Sequence, residues 1–170
     1  MWDLQSKKVT FPLYKYLSLP IPTVPTSVTL GILPADEVED RIHALLDNRP
    51  IKALKVKLGS KDGIEADKSM FSKVAEYTKP YNVALRVDAN GGWNVDDSKD
   101  MMKWLADRKV EYIEQPLVEG SEHELKHIFS NRPLPIFVDE SCRLSTDIPK
   151  WAEYVDGVNL KLMKLSLIHI

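Results

Sequence analysis

The hydrophobic pattern of the chain switches repeatedly between two periods. Residues 53–58, Ala-Leu-Lys-Val-Lys-Leu, alternate apolar and charged positions. Successive strand side chains face opposite ways, so Lys55 and Lys57 share one face and their apolar neighbours the other. Segments 27–32, 83–88, 110–115, 135–140 and 157–162 read as five further strands. Between them the spacing becomes helical. Val38, Ile42, Leu45 and Leu46 fall on one face within 34–48, and Phe71, Val74, Ala75 and Thr78 mark the next helix. Asn94 is placed to cap a helix carrying Met101, Trp104 and Leu105, and shorter helices follow around Leu125, Ile128 and Phe129 and around Ile148, Trp151 and Ala152. Residues 1–25 differ: Pro12, Pro20, Pro22 and Pro25 leave room for one short helix near the start and then an extended segment, a tail or link.

Six strands alternating with helices, at a repeat of 22 to 30 residues, predict an α/β fold with a parallel sheet and crossover helices. A doubly wound sheet and a (β/α) barrel both fit this rhythm. No Gly-rich phosphate fingerprint follows the first strand, which weakens the dinucleotide-binding version. Polar residues recur at strand ends, where barrel enzymes assemble their sites, and this favours the barrel.

Composition narrows the partners. A 44% hydrophobic, 28% charged chain of 170 residues with a net charge of −2 gives no reason to expect nucleic acid or a membrane surface. A single cysteine, Cys142, excludes an internal disulfide and points to a reducing, cytoplasmic compartment. No stretch has the length and apolarity of a signal peptide or a membrane span.

The candidate chemistry sits at the strand ends. Asp88, Glu114 and Asp139 close the third, fourth and fifth strands at spacings of 26 and 25 residues. Brought together at a barrel mouth, three like charges are unstable unless a cation joins them or protons are taken up. An all-oxygen set suits a hard cation such as Mg²⁺. Lys55 and Lys57 flank the group on one side and Lys161 on the other. Lysines facing each other across a metal-bound carboxylate are equipped to abstract the α-proton on one face and return it on the other, which is racemisation or epimerisation.

The motifs Lys55-Val56-Lys57, Arg86-Val87-Asp88-Ala89-Asn90, Tyr112-Ile113-Glu114-Gln115-Pro116, Val138-Asp139-Glu140-Ser141 and Asn159-Leu160-Lys161-Leu162-Met163-Lys164 together resemble the enolase superfamily. The muconate-lactonising subgroup fits, and within it the L-Ala-D/L-Glu (dipeptide) epimerases look most similar. The resemblance implies a TIM-type barrel and a Mg²⁺-dependent isomerase with a lysine base, the superfamily's established pattern. It implies Asp88, Glu114 and Asp139 as metal ligands, Lys57 and Lys161 as acid/base catalysts, Lys55 as a stabiliser of the enediolate, and Asn90 and Glu140 as supports behind the ligands. The substrate would be a small carboxylate, most simply a dipeptide, and the full-length protein would form homo-oligomers. Cycloisomerases and o-succinylbenzoate-synthase-like members share these residues and remain alternatives.

The resemblance also implies truncation. Residues 1–25 resemble the end of the family's N-terminal capping domain, 26–164 a partial barrel, and 165–170 an atypical tail where a Gly-Gly turn and two further strand–helix units would follow. A complete barrel needs about 250 residues, so the isolated chain is expected to be inactive, or a non-catalytic remnant. One motif points elsewhere. His123-Glu124-Leu125-Lys126-His127 matches the zinc-peptidase pattern H-E-x-x-H. At about 100° per residue the two imidazoles fall opposite the apolar face and are expected in solvent. His43 and His169 are read as surface residues.

Overall fold

The computed structural model describes residues 2–21, 23 and 25–161. Six strands, β1 (Ser27–Leu30), β2 (Ala53–Lys57), β3 (Ala84–Asp88), β4 (Ile113–Glu114), β5 (Ile136–Val138) and β6 (Gly157–Val158), lie side by side in chain order. Every pair is parallel. A doubly wound sheet reverses its strand order at a switch point, and no reversal occurs among the described strands. Sequential parallel strands joined by right-handed crossovers put every helix on one face, which is the barrel arrangement.

The crossovers are α3 (Val38–Leu46), α4 (Ile64–Tyr77), α5 (Val95–Ala106), α6 (Leu125–Phe129) and α7 (Ile148–Trp151). The cap on α5 is the one read from the sequence: the Asn94 side chain accepts from the backbone N–H of Asp97 at 2.8 Å. The apolar stripes of the helices pack on the outward face of the sheet, so Leu54, Val56, Val87 and Ile113 join Ile42, Phe71 and Met101 in one buried core.

The inward face is polar. In β2 the residues of that face are Lys55 and Lys57, and parallel register carries it through Arg86 and Asp88 of β3 and Glu114 of β4. Below the charged ends lies a supporting layer. Arg86 donates to Ser27 Oγ at 2.7 Å and to Glu111 Oε2 at 2.8 Å, and its guanidinium stands over the Tyr112 ring. Tyr112 in turn stacks on Phe137 with centroids 4.5 Å apart.

Two boundaries differ from expectation. After α1 (Trp2–Lys8) the chain forms a second one-turn helix, α2 (Leu13–Tyr16), instead of running extended. Pro12 starts it: its fixed φ suits a helix entry, and its carbonyl accepts from Tyr16 N–H at 3.0 Å. The regular parts of β4 and β6 are two residues each, shorter than the hydrophobic runs. The expected end of β6 at Leu162, and Met163, Lys164, His169 and the 165–170 tail, lie outside the described residues, as does Pro22. No helix among the described residues is long and apolar enough to cross a membrane.

Candidate active site

Register brings Lys57 level with Asp88, and Asp88 level with Glu114. Asp139 follows directly after β5. All three carboxylates are almost wholly withdrawn from water, at 1%, 2% and 0% exposure. Lys55 Nζ stands 3.1 Å from Asp88 Oδ2 and donates to both Glu114 oxygens, at 3.1 and 3.2 Å. Asn159 Nδ2 donates to Glu114 Oε1 at 2.7 Å, and Lys161 pairs with Asp139 Oδ2. The structure thus gathers Lys55, Asp88 and Glu114 into one group and pairs Asp139 with Lys161 at the neighbouring strand ends. Lys57, half-buried, stands at the same rim.

The electrostatics are those of a crowded, dry site. Burial, with Asp88 adding to it, raises the Glu114 carboxyl above its ordinary range despite Lys55 and Asn159. Burial acts to lower the Lys55 ammonium, but Asp88 and Glu114 outweigh it and hold Lys55 above its ordinary value. Lys55 therefore stays cationic at neutral pH, suited to stabilising negative charge and unsuited to accepting a proton.

Two of the three buried carboxylates, Asp88 and Glu114, face Lys55, and the third, Asp139, faces Lys161, with Lys57 at the rim. Glu140 Oε2 is also buried without a hydrogen-bond partner among the described residues. Oxygen-only donors and an unsatisfied carboxylate oxygen fit a hard divalent cation. Among the described residues no three His, Cys, Asp or Glu side chains converge closely enough to share an ion.

The loops beyond the strand ends are fixed by residues to which the sequence alone gave no role. Asp67, buried within α4, accepts from Gly59 N–H at 2.9 Å, Ser60 N–H at 3.0 Å and Trp93 Nε1 at 2.9 Å. It ties the loop after Lys57 to the loop after Asp88. These loops touch so closely that a Cβ on Gly59, at φ +85°, would lie 2.2 Å from the Ala89 carbonyl oxygen. A carboxylate on the buried face of a helix was the signal available for Asp67. Asn90, expected as a support, is exposed, and it is its backbone N–H that reaches Asp88 Oδ1, at 3.1 Å. Asn159 has the strand period as its signal, two residues before Lys161 on the same face.

His123 and His127 are both exposed, and His123 belongs to a short 3₁₀ turn ahead of α6, so the H-E-x-x-H pair does not share one helix. His43 is on the surface as expected, but it has partners: its Nδ1 is 2.8 Å from the Tyr81 hydroxyl and also approaches Asp47.

Residues 37–166 match the family described as "Enolase C-terminal domain-like". The chain is 57% identical over 163 residues to a hydrophobic dipeptide epimerase of a Flavobacteria bacterium, covering 96% of this chain and 47% of that protein. It superposes with a TM-score of 0.81 and 26% identity on a Cytophaga hutchinsonii dipeptide epimerase complexed with Mg and D-Ala-L-Val, covering 96% of this chain and 44% of that one. On the Enterococcus faecalis V583 dipeptide epimerase complexed with Mg and L-Leu-L-Tyr the TM-score is 0.77 and the identity 32%, over 96% of this chain and 46% of that one. The chain thus spans about half the length of the proteins it matches. With the sheet order, the charged strand ends and the sequence match in agreement, the chain belongs to the enolase C-terminal domain-like family of the enolase superfamily.

Proposed function

We propose that this chain carries the metal-binding and proton-transfer half of a dipeptide epimerase. The observation that supports this most is the set of three buried carboxylates at the ends of β3, β4 and β5, flanked by Lys55 and Lys57 of β2 and by Lys161 beyond β6. Asp88, Glu114 and Asp139 would hold Mg²⁺, which when bound supplies Lewis-acid stabilisation to a substrate carboxylate. The supporting roles fall to Glu140 and to the backbone of Asn90.

Lys57 and Lys161 stand on opposite flanks of the carboxylates. A neutral amine on one side takes the proton from the carbon next to the substrate carboxylate. The ammonium on the other side gives a proton back, inverting that centre. Lys55, held cationic by Asp88 and Glu114, stabilises the enediolate charge as it develops. A similar protein, at 57% identity, is named for hydrophobic dipeptides, and this supports an apolar dipeptide over L-Ala-L-Glu.

Residues 26–164 form the barrel portion in this reading, and 1–25 the end of a capping region. Six strands in a row leave β1 and β6 unjoined among the described residues, so the 170-residue chain alone is not expected to turn over. The test is α-proton exchange in D₂O with Mg²⁺, followed by mass spectrometry. The product translated from the locus read past the Lys164 codon should deuterate L-Leu-L-Tyr faster than L-Ala-L-Glu. EDTA should abolish the exchange; K57A and K161A should each abolish inversion, and one of the two, the base facing the L,L epimer, should abolish its exchange as well. Exchange indifferent to EDTA and to both lysine variants would overturn the assignment, and turnover by the 170-residue chain would overturn its expected inactivity.

A further inference from the structure

Gln115, at the end of β4, bonds both to β5 with the residues after it and to the loop after β3. It follows Glu114 directly. Its backbone N–H donates to the Phe137 carbonyl of β5 at 2.8 Å, and its own carbonyl accepts from Gly91 N–H in the loop after β3 at 2.7 Å. Its side-chain oxygen accepts from the backbone N–H of Asp139 at 2.9 Å and of Ser141 at 3.3 Å. Its side-chain nitrogen donates to the Leu117 carbonyl at 2.9 Å and to Ser141 Oγ at 2.7 Å. The residue is 2% exposed, so none of these bonds is shared with bulk water.

The backbone of Gln115 is itself unusual. At φ +42° it lies in the left-handed region, where glycine or asparagine is favoured and a longer side chain carries a conformational cost. It also precedes Pro116, which restricts the backbone further. Glycine would relieve the strain but would release Asp139 and Ser141. Strain of this kind persists where the surroundings over-determine it, and it gathers at functional sites.

We propose that Gln115 is a positioning residue for the cation site: its side-chain oxygen grips the Asp139 and Ser141 amides and so fixes the Asp139 carboxylate relative to Glu114. The inference rests on the reading of Asp88, Glu114 and Asp139 as cation ligands and extends it to a residue that touches neither ion nor substrate. Groups that orient metal ligands in this way typically change metal affinity by about 10- to 100-fold when removed.

The experiment measures Mg²⁺ binding to the 170-residue chain by titration calorimetry, together with amide hydrogen exchange at Asp139 in the metal-free protein. Q115L keeps the size of the side chain and removes the acceptor. S141A removes one partner of the Gln115 amide nitrogen and leaves the acceptor's grip intact. Q115L should bind Mg²⁺ about 10- to 100-fold more weakly and exchange the Asp139 amide faster. S141A should stay close to the parent in both. Should Q115L fail to fold, Q115N withdraws the same oxygen by one methylene and carries the same expectation.

A folded Q115L or Q115N with the parent's affinity and exchange rate overturns the inference, as does S141A weakening Mg²⁺ as much as Q115L does, which would mean general loosening. These results leave the cation site standing as long as the parent binds. A parent that binds no Mg²⁺ removes the cation site, and the inference with it.

Discussion

The two halves of the sheet are built differently. From β1 to β3 the strands pair over four or five residues and are backed by α4, of 14 residues, and α5, of 12. From β4 to β6 the regular pairing is two residues per neighbour, and the helices behind it, α6 and α7, span five and four residues. Backbone ladder and apolar packing hold the first half. In the second, polar side chains take over: the buried Gln115 and Ser141 cross from β4 to β5, the half-buried Trp151 donates through Nε1 to the Ser141 carbonyl, and nearer the surface Arg132 and Asp156 join the base of β5 to the approach to β6. The carboxylate cluster straddles the boundary, with Asp88 on the stiff side and Asp139 on the side held by hydrogen bonds. A hydrogen bond contributes less than a well-filled core but depends more on geometry. The second half is therefore where small substitutions should shift the site without unfolding the protein.

The largest expected effect breaks the first half. Phe71 is fully buried and meets Trp104 edge-on at 5.8 Å between centroids. Phe71→Ala should cost about 3–5 kcal/mol, read as a lowered midpoint in urea denaturation. A loss no greater than that from Ser141→Ala would dissolve the distinction between the halves.

Next comes Ser141→Ala itself. It removes a hydroxyl bonded to Gln115 and to the Glu122 carboxylate, for about 1–2 kcal/mol. Hydrogen exchange should show the loosening confined to the loop after β4 and to the chain from Ser141 onward, with the Asp139 amide, still held by the Gln115 oxygen, and the amides of β2 and β3 unchanged.

The smallest effect is that of Asp156→Asn, worth about 0.5 kcal/mol at neutral pH. Arg132, opposed by partial burial and helped by the backbone N–H of Ile136, holds the Asp156 carboxyl below its ordinary value of 3.8. A depressed folded value means that this stabilisation is present above about pH 4 and is lost as pH falls through the lower folded value. Parent and variant stabilities should therefore converge in acid. A difference that persisted unchanged to pH 2 would separate Asp156 from the acid sensitivity of β5 and β6.

How far the sequence reaches follows the same division. Strand β2, the Asn94 cap and the strand-end acids were legible because each depends on neighbours a few residues away. So was the sheet's parallel order, which follows from alternating periods and short connections. The hydrophobic run predicts strand β4 over 110–115, whereas regular pairing covers only Ile113–Glu114, because Gln115 turns into the left-handed region. Gln115 and Asp67 had no legible role because their partners are remote: Ser141 lies 26 residues from Gln115, and Trp93 26 from Asp67. Helix α2 escapes the pattern because proline, a breaker inside a helix, serves here as its start.

The strictly sequential strand order also bears on how the chain folds. Each strand finds its partner one crossover away, so no step has to wait for distant parts of the sequence to meet, and the entropy lost in closing each loop stays modest. During synthesis the sheet can lengthen by one strand–helix unit at a time, each new unit docking on the edge left by the last. The stiff first half would then be complete before Glu114 and Asp139 emerge. The weaker second half would assemble on a finished template, its charged residues arriving at a surface where Lys55 and Asp88 are already in place.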